Sequence, residues 1–209
     1  MKRLVPFLVL VFAGISQLQA ATTLMTYFKY DDWANAIAGT TIYTETFGSS
    51  PGSLTAPGLA VTSTDGSIQC GSGNCYWGDT VGNGDTTVWN FNNGNPVGWW
   101  VTAWGGNFTI DGSGPGLKFT PIGYGGAGEF TPVVVHAADL ISANGNFLGF
   151  VSSAAHPFWE VQIDSAASGQ SQAYTLDNMV YNPEPSTVVM LASGLLGFAC
   201  VLNRRRKKV

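Results

Sequence analysis

Short runs of aromatic and β-branched residues, broken every few positions by Gly, Asn, Asp or Pro, fill residues 40–181. Such runs suit half-buried strands joined by tight turns, so this part of the chain is constrained to an all-β sandwich of two packed sheets. The strand segments read from the pattern are 40–47, 59–64, 86–90, 99–103, 107–110, 117–121, 130–135, 147–151, 159–163 and 173–181. Residues 40–47 form the first long strand, with Ile42, Thr44 and Thr46 on one face and Thr41, Tyr43, Glu45 and Phe47 on the other. Ahead of it, Asp31 or Asp32 caps a short helical turn through Trp33, Ala36 and Ile37, closed by Gly39.

The two ends have a different character. Residues 1–20 carry Lys2 and Arg3, an apolar stretch over 4–15, and a more polar approach to Ala20. That is the three-part form of a secretory signal peptide, with cleavage expected after Ala20 or, as the nearest alternative, after Ala21. At the other end, Pro183, Glu184 and Pro185 lead into an apolar run, 187–202, that stops at Arg204, Arg205, Arg206, Lys207 and Lys208. The run predicts one short membrane helix of about 24 Å, less than a ~30 Å hydrocarbon core, with snorkelling basic side chains making up the difference. Basic residues beside a hydrophobic helix stay on the cytoplasmic side, which puts the preceding body on the far side of the membrane. The prolines hold their predecessors extended and stop the helix from propagating upstream. The expected organisation is therefore 1–20 signal, 21–181 exported domain and 182–209 sorting and anchor segment.

The triplet, single span and arginine cluster, in that order, resemble the PEP-CTERM sorting signal of Gram-negative envelope and exported proteins. The resemblance implies passage through the secretion translocon, removal of the leader by signal peptidase, and recognition by a membrane-embedded exosortase. Delivery to the cell surface or its polysaccharide matrix would follow. Three local runs (103–108 with 114–117, 147–152 and 174–181) are similar to the jelly-roll domains that precede such tails. In those domains a last strand carrying an Asp-Asn pair, here Asp177 and Asn178, lies near the first strand.

Charge narrows the partners. Residues 21–181 hold two lysines, Lys29 and Lys118, against twelve acids, a formal charge of −10. Such a surface repels phosphate backbones and lacks the basic stripe that nucleic acid requires. Cys70 and Cys75, separated by Gly-Ser-Gly-Asn, can close a small disulfide in an oxidising compartment, whereas Cys200 sits in the membrane run as an apolar filler.

Catalytic patterns are weak. Glu45, Glu129 and Glu160 are far apart in sequence, and His136 and His156 have no serine or cysteine context. Glu45 in the first strand and Asp177 in the last are placed to meet at the end of the sandwich, where hard oxygen ligands suit a structural calcium; Asp79 and Asp85 are a second pair. All seven tryptophans lie before the tail, and Trp99, Trp100 and Trp104 fall close together. An exposed indole can stack on a sugar ring, but Trp99 and Trp100 must face opposite ways on a strand, and a domain of this size needs large side chains inside. These residues predict an exported, non-enzymatic envelope or matrix protein associated with exopolysaccharide. The alternative is a secreted glycan-active enzyme on the same scaffold, which would need two carboxylates facing each other across an aromatic groove.

Overall fold

The computed structural model describes residues 22–48, 53–71, 74–92, 100–123, 126, 128–142, 146–153 and 156–184. The leader, Trp99, Pro185, the apolar run and the basic cluster lie outside the described residues. Among the described residues, no helix is long and apolar enough to cross a membrane.

The strands are β1 (Met25–Tyr27), β2 (Tyr43–Glu45), β3 (Ala60–Thr62), β4 (Ser67–Gly71), β5 (Asn74–Val81), β6 (Thr87–Asn90), β7 (Trp100–Ile110), β8 (Leu117–Gly123), β9 (Val133–Val135), β10 (Phe147–Val151), β11 (Phe158–Ser165) and β12 (Gln172–Glu184). Among the described residues, two short helices, α1 (Tyr30–Ala36) and α2 (Ala137–Ser142), complete the elements. All strand pairs are antiparallel, and they form a curled sheet with two leaflets. One leaflet runs β1-β10-β7-β12-β5-β4, with β2 on the far half of β12; the other runs β3-β6-β11-β8-β9. Among the described residues, the pair Phe158 opposite Val101 joins them.

The core lies between the leaflets and is largely aromatic. Trp104 and Phe108 of β7 meet Phe119 of β8 at ring distances of 6.0 and 5.5 Å, and Trp77 of β5 meets Trp89 of β6 edge-on at 5.4 Å. Rings of this size each bury roughly 150–250 Å², so these contacts supply a large share of the apolar area that closes the sandwich.

A second, smaller apolar cluster lies on the outer side of β7 and β10. Gly105 and Gly149 face each other across these strands, and a Cβ on Gly149 would strike Trp33. Their lack of side chains lets α1 lie flat, with fully buried Trp33 donating through Nε1 to the Phe150 carbonyl at 3.2 Å. The helix begins at Lys29 with no side-chain cap; Asp31 and Asp32, expected as caps, sit in its first turn instead, where the helix dipole favours them.

The first long strand is the largest departure from expectation. Only Tyr43–Glu45 pairs, because Phe47 turns into the left-handed region (φ 61°) and takes the chain away from β12. From Trp100 on, the segments read at 99–103 and 107–110 fall in one continuous strand, β7. The segment around the cysteines is a hairpin, β4 and β5, with Cys70 directly opposite Cys75 and a disulfide between them (Cα–Cα 4.1 Å). β12 extends past 181 and keeps Pro183 opposite Val101 and Glu184 opposite Trp100.

Candidate functional site: an outer aromatic pair and an acidic cluster

The expected site residues separate. Trp104 is fully buried and stacks on Phe150 (5.9 Å, 6°), so it belongs to the core and offers no surface to a ligand. Trp33, Trp77 and Trp89 are buried as well. Trp100 is half-buried, and the residue it meets is one that sequence reasoning does not single out, Trp159.

Strand parity explains this pair. Phe158 and Val101, opposite one another, both point into the core, so their neighbours Trp159 and Trp100 emerge on the outer face. Their ring centroids lie 5.0 Å apart at 55°. Beside them a register irregularity between Phe158 and Glu160 lets Trp159 and Glu160 both face outward, and Gln162, two residues on, shares that side, its amide donating to Glu160 at 2.8 Å. Two indoles with an adjoining carboxylate and carboxamide make an apolar step edged by hydrogen-bonding groups. No signal in sequence spacing joins residues 100 and 159; only the β7–β11 register does.

Glu45 and Asp177 do not share a site. Glu45 is fully buried and accepts backbone amides from Phe47 (2.6 Å), Thr55 (2.5 Å) and Ala56 (2.7 Å), with the Thr55 hydroxyl at 3.0 Å. Its oxygens hold the loop at 53–56 in place. Asp177 lies opposite Asn107 on the outer side of β12, where its Oδ1 accepts the Asn178 amide at 2.7 Å. Asn178, at φ 47°, marks the bulge there.

The carboxylates that do converge are Asp65, Asp79 and Asp85, each offering an oxygen within 4.8 Å of the others. Gly82 and Asp85 exchange backbone hydrogen bonds across Asn83-Gly84, whose φ values of 53° and 97° make the tight hairpin turn that leads back toward Asp79. Asp79 is buried; the Thr87 hydroxyl donates to it, and Tyr174 donates to Thr87 at 2.8 Å. Burial pushes the Tyr174 phenol far above its usual range. Asp85 accepts the Thr64 amide at 3.0 Å; partial burial opposes its ionisation, but hydrogen bonds from Thr64, Asp65 and Thr86 together hold its carboxyl below the usual range. Asp65 is exposed, and the neighbouring Asp79 carboxyl, with desolvation and Asp85 adding to it, pushes it up to about 6. A hard cation would find three oxygen ligands here. Sequence spacing does not pick out Asp65, because its distance from Asp85 closes only when β3 and β6 pair.

The three glutamates of residues 21–181 occupy separate places: Glu45 in the loop anchor, Glu160 beside Trp159, and Glu129 at 3.3 Å from His156 Nδ1. His136 lies at the start of α2, its backbone amide donating to Asp139 at 2.8 Å. No family model matches the sequence, and no curated protein matches it. Among solved structures the chain is similar to CBM29_1, a family 29 carbohydrate-binding module from Piromyces equi, with a TM-score of 0.41 and 10% identity over 69% of this chain and 92% of that one.

Proposed function

We propose that this chain is an exported, non-enzymatic envelope or extracellular-matrix protein whose jelly-roll-like β-sandwich binds exopolysaccharide. Residues 182–209 would act as the exosortase-read sorting and anchor segment. The observation that carries the binding reading is the Trp100–Trp159 pair, which stands outside the core on a sheet face and is edged by Glu160 and Gln162. A sugar presents an apolar face of C–H groups and a rim of hydroxyls. Indoles suit the first, while a carboxylate and an amide suit the second. The strongly acidic body argues for a neutral glycan in preference to an anionic one.

The sorting reading rests on the Pro183, Glu184, Pro185 triplet, the apolar run and the terminal basic cluster. Two experiments test the proposal. A glycan array probed with the full chain should give a neutral polysaccharide signal that Trp159→Ala abolishes; no signal on any glycan removes the binding reading. Fractionating cells that make the native chain or Glu184→Ala should show a processed form only for the native chain. Equal size and location of both forms would count against exosortase sorting.

A further inference from the structure

We infer that the outer face of β5, β12 and β7 carries a second glycan subsite, a polar cleft that takes a short neutral oligosaccharide. The inference rests on the proposal that this domain binds glycans, but its residues are on the other leaflet from Trp159. Side chains of Tyr76, Asn107, Thr109, Asn146, Thr175 and Asp177 line a concavity of about 580 Å³. That volume falls within the roughly 300–1,000 Å³ of small-ligand sites.

Register brings these residues together. Thr175 is opposite Gly78 on one side and Thr109 on the other, and Asp177 is opposite Asn107. Asn146 joins the row because its carbonyl accepts the Phe108 amide at 2.7 Å. Side chains directly opposite on adjacent strands lie about 5 Å apart, so the row forms a continuous polar strip across the sheet. The same face is divided sharply. On one half, Ala103, Phe147, Val151 and Val180 are sealed beneath α1; the row beginning at Asn107 and Asp177 is left uncovered.

The hydrogen-bonding capacity of the row is unused. Among the described residues, the carboxamides of Asn107 and Asn146 and the hydroxyls of Thr109 and Thr175 have no side-chain partner, although Asn107, Thr109 and Asn146 are exposed. Asp177 keeps Oδ2 free while Oδ1 holds Asn178. Tyr76 forms the wall, its hydroxyl fixed by donation to Gln69 at 3.1 Å. Gly78 presents no side chain of its own, and the Gln69 carboxamide lies over it beside Tyr76, so an amide covers the floor there. Amides and hydroxyls can each donate and accept, which matches the paired donor and acceptor character of vicinal sugar hydroxyls. The lining contains one carboxylate and no cationic side chain, which disfavours uronic or sulfated sugars.

The test is calorimetric titration of the full-length chain with cellohexaose, laminarihexaose and isomaltohexaose, comparing the native protein, Asn107→Ala/Asn146→Ala and Trp159→Ala. Both asparagines are exposed and lack side-chain partners, so the double variant should melt as the native protein does. The native chain is expected to bind two hexasaccharides, and each variant to lose one of the two sites by about tenfold or more in affinity, a ratio of about 1.4 kcal/mol. If the asparagine variant binds as the native chain does, the cleft inference is overturned and the Trp100–Trp159 reading stands. If only Trp159→Ala is without effect, the reverse holds. Absence of binding by the native chain to all three sugars overturns both.

Discussion

Asn182 holds two consecutive amides of the neighbouring strand: its Oδ1 accepts from Thr102 at 3.0 Å and from Ala103 at 2.5 Å, and its Nδ2 donates to the Thr102 hydroxyl at 2.9 Å. This bonding coincides with a register shift between Tyr181 and Pro183, so β7 changes parity there. Above the shift Trp104 and Phe108 face the core while Ala103 does not; below it Val101 faces the core. The bulge is therefore what puts Trp100 outside. Asn182→Ala leaves two buried amides without acceptors and should cost about 3 kcal/mol, read as a lower urea midpoint. It should also weaken glycan binding at the Trp100–Trp159 face under conditions where the variant is still folded.

Glu45 performs a comparable task for the loop at 53–56. Replacing it with Ala strands three amides, two of them on the loop, and should cost about 4 kcal/mol, because bonds to a charged acceptor are stronger than neutral ones. Glu45→Gln keeps one acceptor oxygen and should lose about half as much by chemical denaturation. Equal losses for the two variants would mean that charge, and not amide acceptance, is the feature that matters.

The tryptophans divide into a core set and an outer pair, with opposite mutational signatures. Trp104→Ala should remove about 4 kcal/mol of stability, since it empties a packed site between Phe150, Phe108 and Phe119. Trp159→Ala should cost about 1 kcal/mol and act on ligand affinity instead. Thermal melts of both variants beside sugar titrations separate the two roles.

The acidic cluster gives a pH signature. Asp65 titrates at about 6 in the fold against 3.8 when free of its neighbours, so the native state binds more protons than the unfolded chain between these values. Its contribution is favourable at lower pH and declines as pH rises through about 6. Asp65→Asn should therefore raise Tm at pH 7 relative to the native chain and leave it nearly unchanged at pH 4. A native-minus-variant difference that does not vary between those pH values would argue against repulsion among Asp65, Asp79 and Asp85.

The all-β class is legible because alternation and turn residues act locally: the segments that contain β6, β8, β10 and β11 can be read to within a few residues of their ends. What local patterning misses depends on side chains reaching across sequence. The 40–47 strand reads as long because its alternation is good, yet Glu45 uses its carboxylate to anchor a loop ten residues on, and the chain leaves the sheet at Phe47. β4 and β5 are hidden by the Gly-rich stretch that the disulfide closes, since glycine reads as loop when its partner strand is unknown. Candidate sites suffer most. Proximity in sequence groups Trp104 with Trp100, but the side chain of Asn182, on a different strand, sets which of them faces outward. Asp65 and Trp159 become visible only through pairing.

The length of β12 has a consequence for the end of the chain. Pro183 and Glu184 are, among the described residues, the last rungs of the strand that begins at Gln172, and Asn182, just before them, is locked by its three side-chain bonds. Under the sorting proposal, an enzyme that needs a slack peptide around Glu184 would first have to fray these rungs from Trp100 and Val101. Maturation would then wait on the strength of one strand end, and loosening Asn182 would hasten release of the body from its tether.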